Sequence, residues 1–213
     1  TDSRNLRFVT GGESGTYYAF GGVLASFVSG KSDCKVTALT SGGSQANVED
    51  LTNGNVQLAF VQSDVMNYAY NGQRLFDSPV TGFSVVAQLY QEQVQIVTTN
   101  PDIKTVADLA GKKVSIGAAG SGVYFNAIDV LSAYDLKESD ISAVYQSFGD
   151  SAESLKDGKI DAAFIVAGAP TTAITDLATA GSVYLVSLDD SHVQSLLAAS
   201  PYYTAATIKA GTY

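Results

Sequence analysis

The 213-residue chain holds one cysteine, one histidine, one methionine and no tryptophan. A lone Cys34 cannot close an intrachain disulfide, and it rules out zinc held by clustered cysteines. His192, the single histidine, excludes the paired ligands of an HExxH metalloprotease and leaves a Ser-His-Asp arrangement only one possible base. Positive charge is also scarce: 12 Lys and Arg stand against 21 Asp and Glu, a formal charge of −9. Such a chain has no basic face with which to displace counterions, so neither nucleic acid nor an anionic membrane surface is expected as a partner. Its apolar runs are cut by Gly, Ser or charge well before the roughly 18 residues of a membrane span, so no membrane insertion by this chain is expected. No charged start followed by an apolar core is present, and any signal peptide is expected to be gone already.

What remains is an ordinary globular composition, 46% hydrophobic with 20 Gly and 12 Tyr. Short β-rich runs alternate with helical stretches. Strands are expected at Leu6 to Thr10, Lys35 to Leu39, Val56 to Val61, Phe83 to Tyr90, Val94 to Thr99, Lys113 to Gly117, Ser142 to Gln146 and Asp161 to Val166. Helices are expected after the Gly-rich turn at Gly11, at Ser44 to Leu51, from Ser63 to Asn71, near Thr105 to Leu109, at Ser121 to Tyr134 and at Ser151 to Leu155. A final helix–strand–helix set covers Pro170 to Ala199. This alternation, with near-continuous apolar strands, predicts an α/β fold of mostly parallel sheets covered by helices on both faces. The Asn100-Pro101 break follows a long strand pair and places the lobe boundary near Gln93 to Pro101, giving lobes 1–95 and 96–213.

The chain also matches itself. Ser14-Gly15-Thr16-Tyr17-Tyr18 returns as Ser121-Gly122-Val123-Tyr124-Phe125, and Leu51 to Val56 (LTNGNV) returns as Leu155 to Ile160 (LKDGKI). The two offsets are nearly equal, and Ala-Phe follows each second element at Ala59-Phe60 and Ala163-Phe164. Two similar lobes are expected, each presenting a Gly-Ser loop at the carboxyl ends of its strands, where open α/β sheets bind ligands. The loops at Ser14 to Tyr18 and Ser121 to Phe125 are expected to face one cleft.

In the loop Gly11 to Tyr18, a strand-to-helix turn rich in Gly admits ligand close to the backbone, and the first helical N–H groups attract anions. The plainer reading is a helix N-cap at Ser14. No Walker lysine closes this loop, and Gly117 to Gly122 carries no cation either. An anionic ligand would therefore be held by hydroxyls and backbone amides. Gly15, Thr16, Tyr17, Asn47, Gln62, Ser63, Tyr90, Gly120, Ser121 and Gly122 are the candidate ligand-binding residues. Capping or turn chemistry is the alternative for Asn47 and Gln62. Tyr17, Tyr18, Tyr90, Tyr124 and Phe125 are candidate pocket walls, with Tyr18 and Phe125 equally readable as core. His192, in Asp189-Asp190-Ser191-His192, reads as the start of an exposed helix, and the pairs Glu49-Asp50 and Asp189-Asp190 read as solvated helix ends. Nothing pairs a nucleophile with a base, so no catalytic residue, metal or cofactor is expected.

The stretches Gly11 to Tyr18 (GGESGTYY), Gly42 to Asn47 (GGSQAN), Phe60 to Asp64 (FVQSD), Asp108 to Lys113 (DLAGKK), Gly120 to Gly122 (GSG), Asp157 to Phe164 (DGKIDAAF) and Ala167 to Pro170 (AGAP) stand in one order. In these the sequence resembles the TAXI-type solute receptors of TRAP (tripartite ATP-independent periplasmic) transporters, over Leu6 to Tyr213. The resemblance implies a type II periplasmic-binding-protein fold, with two α/β lobes, a hinge, and ligand in the cleft. It adds Gly168 and Pro170 to the ligand-binding set. It implies a small carboxylate-bearing ligand (a dicarboxylate or an amino acid), a TRAP membrane subunit as partner, and a periplasmic or extracytoplasmic location. A ligand-sensing domain of the same fold is the second reading. Family members continue beyond the Gly211-Thr212-Tyr213 element, which implies a first lobe completed by a further return segment.

Overall fold

The first β-α alternation folds much as it reads. Asn5–Val9 (β1) pairs in parallel with Lys35–Leu39 (β2) on one side and with the short Leu58–Ala59 (β3) on the other, giving the order β2-β1-β3. Helices Thr16–Lys31 (α1), Ser44–Thr52 (α2) and Ser63–Asn71 (α3) follow the three strands in turn. Apolar α1 residues Leu24, Ala25 and Val28 pack on Phe8, Val36 and Phe60 of the sheet side. The computed structural model describes residues 4–213. It separates into one unit running up to Tyr90 together with Gly120–Gly122, and a second formed by Gln91–Ala119 and Val123–Tyr213.

The second unit repeats the pattern. Lys113–Ser115 (β5), Val123–Ala133 (α4), Ser142–Val144 (β6), Phe148–Lys156 (α5) and Ala162–Ala167 (β7) form a βαβαβ set, with β5 between β6 and β7 and parallel to both. Gln93–Thr98 (β4) and Tyr184–Leu185 (β8) extend the sheet to β6-β5-β7-β4-β8. Thr172–Ala180 (α6) and Asp190–Ala199 (α7) complete the unit. β7 is buried along its whole length. Ala162, Phe164 and Val166 face one core with Val114, Ile116 and Leu131; Ala163, Ile165 and Ala167 face another with Leu155, Ile174 and Leu177. A strand covered on both faces needs no polar alternation, which is why it reads as a continuous apolar run.

The internal repeat is thus two copies of one topology, 2-1-3 and 6-5-7. It extends to backbone detail. After α2, the Gly54 N–H donates to Leu51 O (3.1 Å) and the Asn55 N–H to Asp50 O (2.9 Å). After α5, the Gly158 N–H donates to Leu155 O (3.1 Å) and the Lys159 N–H to Ser154 O (2.8 Å). Both are Schellman closures, and they place Gly54 and Gly158 at φ +70° and +67°, where a side chain would be strained.

Three expectations are corrected. Phe83 to Tyr90 forms no strand: its β-branched composition suits a sheet, but no strand among the described residues pairs with it, and Val85 and Val86 are exposed. The strand expected over Val56 to Val61 pairs only at Leu58–Ala59. The helix near Thr105 is a 3-10 turn, Val106–Leu109, closed by a capping box between Thr105 and Asp108. The sheets are mostly parallel as expected, with β4 alone running antiparallel to β7 and β8; hydropathy marks burial but carries no strand direction.

Candidate functional site

In the first unit three strands point the same way, so their exit turns gather at one sheet end: Thr10-Gly11-Gly12 after β1, Ser41-Gly42-Gly43 after β2, and Phe60-Val61-Gln62 after β3. The order reverses between β1 and β3, the position at which open α/β sheets take ligands. The turns are knitted together. Thr10, fully buried, donates its N–H (2.9 Å) and Oγ1 (2.7 Å) to Leu39 O. Ser41 Oγ donates to Thr10 O (3.2 Å) and accepts the Gly43 N–H (3.1 Å). Ser44 Oγ accepts the Gln62 N–H (3.0 Å). Asn47, on α2, crosses the reversal point: its Nδ2 donates to Thr10 O (2.8 Å) and to Phe60 O (2.7 Å).

Gly120–Gly122 packs with this unit. The Ala46 N–H donates to Gly120 O (2.9 Å). Gly43, at φ +118°, lies so close that a Cβ there would stand 3.1 Å from Ser121 Cα, and a Cβ on Gly122 would overlap the Gln62 carboxamide. At Gly43 the backbone neighbour and the positive φ together call for glycine, whereas at Gly122 the Gln62 side chain could swing aside. Within this tight packing two buried polar atoms have no hydrogen-bond partner: Asn47 Oδ1 and Ser121 Oγ, on residues 0% and 5% exposed. Burying a polar atom without a partner costs about 1–3 kcal/mol, a cost that a water or a ligand reaching either atom would relieve.

Of the twelve candidate residues, ten lie in the first unit and Gly168 and Pro170 in the second. Gly15 is the N-cap position of α1, its N–H bonded to Gly12 O (3.1 Å), so Ser14 is not the cap; Thr16 opens the helix. Gln62 occupies the same place before α3 and donates from Nε2 to Asp64 Oδ1 (3.2 Å); Ser63 is exposed. Tyr17 and Tyr90 belong to an aromatic group around Phe60: Tyr17 lies 5.0 Å from Phe60 and 6.5 Å from Tyr90, and Phe20 bridges Phe60 and Tyr90 at 5.9 and 5.8 Å. Tyr18 is exposed, which corrects its reading as core, whereas Phe125 is fully buried. Tyr124 Oη donates to Glu138 Oε2 (2.9 Å).

In the second unit, Gly168 O accepts Thr171 Oγ1 (2.7 Å), and Pro170, exposed, follows a cis peptide bond. Beside them lies a buried group that sequence reasoning missed: Gln95 Nε2 donates to Thr171 Oγ1 (2.9 Å), and the Tyr213 hydroxyl donates to Gln95 Oε1 and accepts the Thr171 N–H (2.9 Å). A second missed pair is Ser115 and Ser151, whose hydroxyls are buried 2.8 Å apart. The available signal was a polar residue interrupting an otherwise apolar strand, as Gln95 does in β4 and Ser115 in β5.

Electrostatics set the first unit's strand ends apart. Its cations are Arg4, Arg7, Lys31, Lys35 and Arg74. Arg4 precedes β1 and Arg7 lies at its middle, Lys35 begins β2, Lys31 ends α1, and Arg74 stacks over Tyr68 beyond α3. None belongs to an exit turn, so the polar groups at these turns are amides and hydroxyls. In the second unit His192 lies in the first turn of α7, which Asp189 caps: its ring stacks on Tyr134 (3.6 Å, 9° between planes) and its Nδ1 lies 2.6 Å from Asp189 Oδ2. Hydrogen bonds from Ser191, then from the His192 backbone, hold the Asp189 carboxyl far below the usual carboxylate range. Among the described residues no three His, Cys, Asp or Glu side chains converge as metal ligands do, and no helix is long and apolar enough to cross a membrane.

Solved structures share this architecture. The alkanesulfonate-binding protein from Xanthomonas axonopodis pv. citri, bound to MOPS, is 21% identical at a TM-score of 0.56, covering 88% of this chain and 61% of its own. This chain therefore spans about three fifths of that protein's length. An ancestral arginine-binding protein bound to glutamine is 17% identical at 0.60, covering 89% and 80%. The GluR0 ligand-binding core from Nostoc punctiforme, with L-glutamate, is 16% identical at 0.59, covering 91% and 92%. At these identities the likeness is one of fold, that of the type II periplasmic binding proteins. Residues 8–213 match the model of the NMT1-like family. With nearly its whole length matched, the chain belongs to the NMT1-like family.

Proposed function

We propose that the chain is an extracytoplasmic solute-binding receptor of a TRAP transporter of the TAXI type. It captures a small organic acid or amino acid at the strand-end turns of the first unit and hands it to a membrane subunit for ion-gradient-driven uptake. The observation that carries this reading is the pair of buried, unpartnered atoms, Asn47 Oδ1 and Ser121 Oγ, placed at the topological reversal of an open α/β sheet. The ligand set is Gly15, Thr16, Tyr17, Asn47, Gln62, Ser63, Tyr90, Gly120, Ser121 and Gly122. No group among them activates a nucleophile, so the activity is binding without turnover. Losing a hydrogen bond to a charged group costs roughly 1.5–3 kcal/mol, and Ser121→Ala weakens binding by about tenfold or more. Calorimetry on a ligand found by thermal-shift screening of carboxylates and amino acids tests this. Unchanged affinity in both Ser121→Ala and Gln62→Ala would remove the assignment.

A second reading has its own support. The GluR0 core, a ligand-binding core bound to L-glutamate, is matched over 92% of its length. A ligand-sensing domain would bind the same solutes without a transport partner. Co-purification with a TRAP membrane subunit separates the two, because only the receptor needs that partner.

A further inference from the structure

Helix α1 is apolar on every side, and from Thr16 to Gly30 it carries no charge. One side packs on the sheet through Leu24, Ala25 and Val28. The other presents Tyr18, Ala19, Gly22, Val23, Ser26 and Phe27, all exposed, with Val23 at 67% and Phe27 at 62%. A surface helix turns polar residues outward, whereas one that is hydrophobic all round is ordinarily covered on both sides. The two adjacent glycines answer to different neighbours. A Cβ on Gly21 would overlap Thr10 Cγ2, so packing within the chain explains that glycine. A Cβ on Gly22 would meet nothing within 4 Å, and no neighbour in the chain calls for a residue that weakens a helix interior. Close approach of another backbone would call for it.

We infer that the outer face of α1 is the contact between two copies of this chain, packed antiparallel about a twofold axis at Gly22 and Val23. The face is complementary to itself when reversed. Glu13, exposed in the turn before α1, comes opposite Lys31, exposed at the end of α1 in the second copy, and the pairing occurs twice. In that same register each large side chain meets a small one of the other copy: Val23 at Gly22, Phe27 at Ala19, and Tyr18 at Ser26. The antiparallel arrangement also sets each helix N-terminus beside the other's C-terminus, which their dipoles favour. An isologous contact of this kind closes at two copies. With 16 residues α1 is about 24 Å long, so the pair buries less than the roughly 1,200 Å² of a stable interface. The dimer is therefore reversible, with a dissociation constant of about micromolar or weaker. This inference is independent of the solute-receptor reading.

Sedimentation of the 213-residue chain from about 1 to 500 μM tests this. The mass is expected to rise with concentration from 22.2 kDa toward twice that value and no further. Val23→Asp and Phe27→Asp, both at exposed positions, should each weaken the dimer by about tenfold or more, with unchanged circular dichroism. Glu13→Lys and Lys31→Glu should each weaken it by about threefold to tenfold at low salt, and the double exchange should restore it, a recovery that loss of folding could not produce. A monomer at every concentration overturns the inference and leaves the face to another segment or partner. Growth beyond two copies, or a dimer indifferent to Val23→Asp and Phe27→Asp, places the contact elsewhere and overturns it as well. A dimer that these two variants dissociate but the charge exchange fails to restore overturns the antiparallel pairing.

Discussion

At the residue scale, Asn47 shows how one side chain can fasten two strand ends. Its carboxamide ties the ends of β1 and β3. Asn47→Leu fills a similar space but leaves the buried Phe60 carbonyl without this donor, while Thr10 O keeps Ser41. The expected loss is about 2 kcal/mol, read as a shifted urea midpoint, and an unshifted midpoint would show the strap to be idle. The sequence marked Asn47 as a polar residue near strand ends; that both its hydrogens are engaged follows only from which carbonyls the fold brings there. Asp189 gives a pH prediction. Its folded-state carboxyl titrates below the ordinary 3.8, so the stability it lends is present above about pH 4 and lost as the pH falls below it. Asp189→Asn should flatten the fall in melting temperature between pH 5 and pH 2. An unchanged profile would assign the acid sensitivity elsewhere.

At the scale of elements, the two Schellman closures offer a matched experiment. Gly54 and Gly158 share φ near +70°, and an added Cβ meets nothing within 4 Å at either. Gly54→Ala and Gly158→Ala therefore report backbone strain alone, about 1–2 kcal/mol each, by chemical denaturation. A neutral result at either site would mean that its turn relaxes. The repeat was legible because Asx-Gly after a helix is local chemistry, and β2, α2, α3 and α5 fell within a few residues of their observed limits for the same reason. Phe83 to Tyr90 was misread because a strand is a property of a pair: Val85, Val86 and Leu89 supply propensity, not a partner. The Gln95–Thr171–Tyr213 group escaped notice for a related reason, since its members lie up to 118 residues apart.

For the whole molecule, the α/β class and the twofold repeat were written in the order of strands and turns, whereas the antiparallel entry of β4 was not. With a charge of −9 and no cation at the first unit's exit turns, only neutral groups stand there to meet the proposed ligand. Ligand at one hundred times its dissociation constant stabilises by about 2.7 kcal/mol, which for a chain of this size raises the melting temperature by about 5–10 °C. Scanning fluorimetry with a saturating amino acid checks this, and no shift with any amino acid or carboxylate would count against a receptor.

The strand order of the second sheet has a kinetic consequence. β5 pairs with β6 and β7 across short stretches of chain, whereas β4 must find Ala163 to Ala167 some 70 positions onward and Leu185 beyond. Closing the larger loop costs more entropy before any pairing offsets it, so β4 should join β7 after β5, β6 and β7 have paired, and β8, whose only partner is β4, should follow it. Pulse-labelled amide exchange during refolding should then find Ile96 and Val97 protected after Val114 and Ser115. Protection of all four together would mean that the five strands condense in one step.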